Sequence, residues 1–598
     1  MSGELLRILG DGAESALEGR AAKRAAQREA KRRARAELAE WRLWLVAVLF
    51  VFGYGALGAR MAHLAVAEPE EPRLDASASA AHAVERAPIT DRNGRLLAAN
   101  LPTWSIYAHP DEVARAGYSL EEAAEGLARA LPGHSVEEFR EAMAPTRRFS
   151  WIKRPAGPAE MQAVHDLGIP GVYFGRRETR IYPAGRIAAH VLGGVRTERE
   201  SVDGVVLAGL AGIERKLDET LADPGRAGAP LALSLDLVVQ SALTETLEAA
   251  MRDFSAIAAS GVLMDARNGE ILAMVSLPDF DPNARPDERD PKIAKTRPLM
   301  NRTAEGVYEL GSTFKVFPVA QAMDLGLVGP ETMIETGAPL RVGKHVIRDF
   351  HRMPPFLSVR DVIVESSNVG TSRIAFAIGP ERQRAFLERL GFYKPTEVEI
   401  AEARLGQPLT PPSWPMITQA TVSFGHGLSA TQLHLAAAYA SLLNGGLQVK
   451  PTLLPGAARP TEADRIVSAD TSRKLRAMLR AVVAEEKGTA NLAEVPGYEV
   501  GGKTGTAEKP GRGGYDSSKN IVTFAAGFPM SDPKYVLVVS LDEASTFKYG
   551  RTWRTAGWTA APTAAVAIKR IAPLLGLRPR PAGIDPAAVA GAASGATF

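Results

Sequence analysis

The 598-residue chain contains no cysteine. That absence removes a disulfide framework, a thiolate nucleophile and any cysteine-ligated metal or iron–sulfur site. Covalent chemistry must therefore use another nucleophile. A global excess of one charge is also missing, since 71 Lys and Arg stand against 68 Asp and Glu, and the overall basic footprint of a nucleic-acid binder is absent with it. Aromatics are sparse at 6%, yet apolar residues reach 45%, ordinary usage for a globular protein with a large core, which excludes a disordered polypeptide. No repeat with a period of about 20 to 50 residues marks a solenoid or propeller. The length allows about three or four domains.

The small charge excess is local. Residues 1–42 hold 10 bases and 7 acids, leaving 61 of each sign elsewhere. Within them Arg20, Lys23, Arg24, Arg28, Lys31, Arg32, Arg33 and Arg35 face Glu29 alone, just before the chain's one long apolar run. Leu43 to Ala59 carries no charge, and the run continues to Val66 with only Arg60 and His63 intervening. A stretch of this length spans a bilayer as one helix. The apolar core of a cleaved signal peptide is usually about 7 to 15 residues long and starts nearer the N-terminus. Bases precede the run, and Glu68, Glu70, Glu71 and Asp75 follow it. The positive-inside rule then predicts a cytoplasmic tail at 1–42, a single span at 43–67 and an exported remainder.

The exported part reads as two portions. In the first, from about 84 to 228, short strand signals at Ile89–Asp91 and Ser105–Tyr107 flank an Asn93-Gly94 turn, and Leu120–Leu131 has a helical pattern. Asp223-Pro-Gly225 breaks the pattern, a strand signal follows at Leu231–Leu235, and the boundary is placed there. The second portion opens with a helix at about Leu237–Phe254, then two apolar runs around Asn268-Gly269 that predict a hairpin. Strand signals at Tyr498–Thr506, Ile521–Phe528 and Tyr535–Leu541 and a closing helix at Ala561–Ile571 complete an α+β expectation: a sheet of about five strands with helices on both faces. The Pro, Ala and Gly-rich tail from Arg578 predicts disorder.

Three short motifs carry the chemistry: Ser312-Thr-Phe-Lys315, Ser366-Ser-Asn368 and Lys503-Thr-Gly505-Thr506. On a helix, residues i and i+3 share a face, so the amine of Lys315 can take the proton of Ser312. To act as a base it must be neutral, which requires burial and a neighbouring cation such as Lys503. Ser-x-x-Lys alone is weak, because a chain of this length carries roughly one by chance, and Ser150-Trp-Ile-Lys153 and Ser545-Thr-Phe-Lys548 also match. Neither opens an apolar helix. Ser312 does, leading into Val316, Phe317, Val319, Ala320 and Met323, where helix N-terminal amides can help bind an oxyanion. Ser366 and Asn368 could instead cap a helix, and Lys-Thr-Gly could be a solvated turn. Glycine at 505 would let a substrate approach the strand edge closely. The joint order, with Ser366 54 residues after Ser312 and Lys503 137 residues further on, is what makes coincidence improbable.

With these motifs the chain resembles the membrane-anchored class B penicillin-binding transpeptidases, and its septal, cell-division members most. Further matches are Arg86-Ala-Pro-Ile-Thr-Asp-Arg-Asn-Gly94, Tyr182-Pro183, Ala189-His-Val-Leu-Gly193, Gly212-Ile-Glu214, Asn301-Arg302 and Phe424-Gly-His-Gly427; Leu310 stands where the family commonly has proline. The resemblance implies a non-catalytic pedestal of the dimerisation type at 68–228, a transpeptidase domain at 229–577 and a tail at 578–598. It also implies a peptidoglycan D,D-transpeptidase, inhibited by β-lactams, on the outer face of the inner membrane. Ser312 would be the nucleophile, Lys315 the base and Ser366 a proton relay; Asn368 would hold the donor amide, and Lys503, Thr504, Gly505 and Thr506 would bind the terminal carboxylate. Neither cofactor nor metal is implied. The expected partners are the stem peptides of nascent glycan strands, a SEDS-type glycosyltransferase and other division proteins, with no nucleic acid. The alternatives are a side-wall transpeptidase, a carboxypeptidase or β-lactamase-type hydrolase, and a non-catalytic division scaffold.

Overall fold

The computed structural model describes residues 41–62 and 86–580, apart from 203, 227, 512 and 513. The basic tail at 1–40, the end of the predicted span at 63–67 and the tail from 581 lie outside the described residues. Trp41–Ala62 is a 22-residue helix of mean hydropathy 1.8, and none of its most apolar window is buried against the rest of the protein. At 1.5 Å per residue it is about 33 Å long, enough to cross a hydrocarbon core of about 30 Å.

In the first portion the long strand Leu96–Ala108 pairs antiparallel with Ile89–Thr90, Ser150–Ala156 and Val172–Ile181. Helices Leu120–Ala130 and Val136–Ala142 are capped by the hydroxyls of Ser119 and Ser135, and with Ile106, Leu127, Phe139 and Val164 they enclose a small core of their own. The rest of this portion is joined to the second. Ala87, Ile89, Leu97, Val191 and Ile213 share one continuous core with the sheet of the second portion, and Ile89–Thr90 pairs in parallel with Leu231–Ala232. Buried Glu214 accepts from Arg86 Nε at 2.7 Å and Arg180 Nε at 2.8 Å, so its charge is matched by two guanidinium groups out of water. Asn283 exchanges two hydrogen bonds with the Tyr182 backbone, at 2.9 and 3.0 Å, which ties the two portions directly.

The second portion has the predicted five-stranded sheet, wholly antiparallel, in the order Gly501–Gly511, Gly514–Phe528, Tyr535–Asp542, Ala258–Asp265, Ile271–Leu277. Helices Leu237–Asp253 and Ala560–Leu574 pack together on one face, and Gln432–Leu443 packs on the other. Asp236 accepts from the Val238 and Val239 amides and so sets the start of the first of these helices. Two boundaries move. The Lys-Thr-Gly strand starts at Gly501 and not at Tyr498, whose amide turns back to Val495. The described chain runs through Arg580, three residues past the expected tail boundary, and there the Arg580 amide bonds Gly497 and its guanidinium reaches Glu499 and Ser531.

Candidate active site

Gly501–Gly511 is an edge strand of the sheet, and the Gly311–Lys315 turn lies against it. Two glycines permit this approach. A Cβ on Gly505 would stand 2.3 Å from the Leu310 carbonyl oxygen, and one on Gly425, whose φ is +85°, would stand 2.0 Å from that of Gly311. The turn is thus held between the Lys-Thr-Gly strand and the Phe424–Gly427 segment, with the Gly311 amide donating to the Gly425 carbonyl at 3.3 Å. Gly505 is therefore required by contact between protein backbones, where the sequence suggested room for substrate. Leu310 is buried and its carbonyl accepts from Thr313 Oγ1 at 2.8 Å, so the turn forms without the family's usual proline.

Ser312 does not begin an α-helix. It sits in a 3-10 turn, Gly311–Lys315, that runs into the helix Val316–Asp324. In 3-10 geometry residues i and i+3 are eclipsed, so Ser312 and Lys315 still project on one side. Phe314 anchors the turn against Phe317 and Phe392, each with its ring centroid 4.9 Å away. Tyr439 donates to the Thr313 carbonyl at 2.7 Å.

The side chain of Lys315 is fully buried and directed at Ser366, donating to its carbonyl and, at 3.0 Å, to its Oγ. Lys503, equally buried, donates to the same Oγ at 2.9 Å and to the Thr504 carbonyl at 3.2 Å. Two amines on one hydroxyl lie within about 6 Å of each other, and if both were charged they would repel by about 3 kcal/mol at an effective dielectric near 20. Burial, and then the charge of Lys503, holds Lys315 well below the usual lysine range, with Asp349 opposing. Burial alone lowers Lys503 to about 7. The resemblance implied a Lys503 amine turned to a carboxylate; the structure turns it inward onto Ser366.

Ser366 has a left-handed backbone, φ +64°, a conformation that costs a non-glycine residue about 1 to 3 kcal/mol. It is not the helix cap. Ser367 caps Asn368–Ile378, accepting from the Gly370 amide at 2.9 Å, which leaves the Ser366 hydroxyl to the two lysines. Asn368 donates from Nδ2 to the Arg348 carbonyl at 3.0 Å. Thr504 and Thr506 share the strand face opposite Lys503, with Thr504 Oγ1 2.9 Å from that of Thr489 and Thr506 Oγ1 accepting from the Ala556 amide at 3.1 Å.

Sequence reasoning missed Asp349. Its carboxylate accepts from Ser367 Oγ at 2.9 Å, from the Val369 amide at 3.1 Å and from the Asn368 amide, so it fixes the whole Ser-Ser-Asn segment. No motif marks it. Of the two decoys, Ser150 starts the strand Ser150–Ala156, where residues three apart point to opposite faces, and Ser545 immediately precedes the strand Thr546–Lys548, so neither opens a helix.

The penicillin-binding protein transpeptidase domain family matches residues 259–561, and the penicillin-binding protein dimerisation domain family matches 81–229. A probable peptidoglycan D,D-transpeptidase FtsI of Caulobacter vibrioides is 37% identical over 503 residues, covering 82% of each chain. The peptidoglycan D,D-transpeptidase FtsI of Escherichia coli K12 is 31% identical over 535 residues, 86% of this chain and 89% of that one. Among solved structures, penicillin-binding protein 3 of Mycobacterium tuberculosis in complex with aztreonam superposes with a TM-score of 0.62 at 25% identity, covering 83% of this chain and 98% of that one.

Proposed function

Since the chain belongs to the penicillin-binding proteins of the peptidoglycan D,D-transpeptidase family, we propose that its site crosslinks stem peptides by a serine acyl-enzyme. Ser312 attacks the penultimate D-Ala carbonyl of a pentapeptide stem. Lys315 receives its proton, and backbone amides of Ser312 and Thr506 hold the oxyanion. The C–N bond to the terminal D-Ala breaks, and its amine takes a proton through Ser366. The amine of a second stem then attacks the ester: a C–N bond forms, the Ser312 C–O bond breaks, and the amine's proton returns to Ser312 Oγ.

One observation supports this reading most. The Ser366 hydroxyl accepts from Lys315 and Lys503 at 3.0 and 2.9 Å, so its own proton is free to be passed to a leaving amine. Holding Lys315 well below the usual lysine range favours its neutral form, the one that can accept the Ser312 proton. The hydroxyls of Thr504 and Thr506, with the Lys503 charge behind them, bind the terminal carboxylate. Asn368 holds the donor amide, and Gly505 keeps the strand against the nucleophile turn.

The FtsI relatives favour septal over side-wall synthesis. In this reading residues 68–228 are a pedestal, 229–577 carry the chemistry, and the Trp41–Ala62 helix is an inner-membrane anchor with the basic tail inside the cell. The pedestal and anchor offer the surfaces for a SEDS-type glycosyltransferase.

The test is stoichiometry with a pentapeptide-bearing glycan substrate. One D-Ala should be released per crosslink formed, and Ser312→Ala should release none. D-Ala release without crosslinks would make the protein a carboxypeptidase, and an inert folded protein would make it a scaffold.

A further inference from the structure

A crosslinking site must hold two peptides, and the donor takes up only one side of Ser312. A second opening lies beside Asn368. It is a groove of about 450 Å³ to which the Gly501–Gly511 strand contributes no residue, lined by His345, Arg348, Asn368, Ile417, Thr421 and Phe424 among others. The hairpin Leu340–Val342/His345–Ile347 forms one wall, and the helix Met416–Ser423 forms the other, with Ile417 and Thr421 one turn apart on its inner side. Its floor rests on a small apolar cluster of Val342, Ile347, Val369 and Ala420, against which Ile417 and Phe424 pack. Its inner end is marked by Asn368 and by Phe424, which immediately precedes the Gly425 that closes on Gly311, the residue before Ser312.

The charge at the groove's mouth is one-sided. His345 and Arg348 are exposed, and among the described residues neither makes an ion pair within 4.0 Å. No lining residue is acidic. Along residues 340–352 the bases are Arg341, Lys344, Arg348 and Arg352. The one acid there, Asp349, is committed to Ser367 and to the Asn368 and Val369 amides.

We infer that this groove is the acceptor subsite: it binds the second stem peptide, whose aliphatic side chain ends in the attacking amine and whose backbone bears free carboxylates. The inference rests on the transpeptidase reading and names the second substrate's place in it. The methylenes of the amine-bearing side chain lie on Ile417 and Phe424, which direct the amine past Asn368 to the acyl-enzyme. Carboxylates of the same stem meet Arg348 and His345 at the mouth, where a guanidinium offers a charge-assisted pair. A small apolar floor with a basic mouth suits such a chain.

The test uses the full-length protein in detergent and follows two half-reactions. Acylation of Ser312 by benzylpenicillin needs no acceptor. Transfer from a pentapeptide donor is measured against two probe acceptors, a tetrapeptide stem with free carboxylates and the same stem fully amidated. Arg348→Glu should raise KM for the carboxylate-bearing acceptor at least about tenfold, with kcat within about twofold. The amidated acceptor should be affected at least about fivefold less, and so should penicillin acylation. Arg348→Lys should recover most of the loss, and His345→Glu should act in the same direction. Unchanged acceptor KM in both glutamate variants would overturn the assignment, as would equal effects on the two acceptors. A parent protein that acylates yet forms no crosslink with either acceptor would contradict the transpeptidase reading itself.

Discussion

Replacing Lys503 by methionine separates what the residue does for the site from what it costs the fold. Its side chain is fully buried, and burial lowers its amine from 10.5 to about 7. At about 1.4 kcal/mol per pH unit, keeping the charged form in the folded protein costs about 5 kcal/mol relative to the unfolded chain. The penalty is complete below pH 7. It shrinks as pH rises from 7 toward 10.5, because the folded protein has then released a proton that the unfolded chain still holds, and it is gone above 10.5. Against it stand the hydrogen bonds to Ser366 Oγ and the Thr504 carbonyl, worth about 1 to 1.5 kcal/mol each. Lys503→Met, similar in volume and uncharged, should therefore be more stable than the parent by about 2 kcal/mol at pH 6, with the gain fading by pH 9. It should also slow penicillin acylation at least about tenfold, or about 1.4 kcal/mol of transition-state stabilisation. Thermal unfolding of the full-length protein at both pH values, with acylation rates by stopped flow, checks both halves. A variant equally destabilised at pH 6 and pH 9, or one that acylates at the parent rate, would refute the reasoning.

Other expectations follow from the same geometry. Ser150→Ala and Ser545→Ala should leave penicillin labelling within a few-fold of the parent, since both serines are strand-associated; lost labelling in a folded Ser545→Ala protein would reassign the nucleophile. Gly505→Ala should abolish labelling and lower the melting temperature, because the added Cβ would lie 2.3 Å from the Leu310 carbonyl oxygen and the nucleophile turn must move away; normal labelling would show that the turn is free to shift. Protease added to spheroplasts should remove everything beyond about residue 70 and spare the basic tail, and cleavage within residues 1–42 would reverse the topology.

Much of the second portion was legible because its strands are buried on both faces and read as apolar runs. Ala258–Asp265, Ile271–Leu277 and Tyr535–Asp542 are buried almost throughout, and Asn268-Gly269 marks the first turn. The first portion was less legible. Val172–Ile181 carries Arg176, Arg177, Glu178 and Arg180 on a half-exposed strand, so no apolar period announces it. At the candidate site, motif order pointed to Ser312, Ser366 and Lys503, and the structure brings Lys315 and Lys503 together on Ser366. Which way each side chain points depends on contacts between segments distant in sequence. The inward turn of Lys503, the 3-10 geometry at Ser312 and the hold of Asp349 on the Ser-Ser-Asn segment all arise there. Gly505 shows the same limit, its need for no Cβ being legible and the partner that imposes it, Leu310, not.

The central claim is that Ser312, activated through Lys315, forms an acyl-enzyme that awaits an amine. A β-lactam resembles the D-Ala-D-Ala terminus, and its opened ring stays tethered and blocks the next attack. After incubation with benzylpenicillin and removal of free drug, the intact mass of the full-length protein should be higher by one drug mass and stay so for many minutes. The adduct should map to the peptide containing Ser312 and be missing from Ser312→Ala. Adduct on another residue, rapid loss of the adduct with drug turnover, or no adduct on folded protein would each contradict the account.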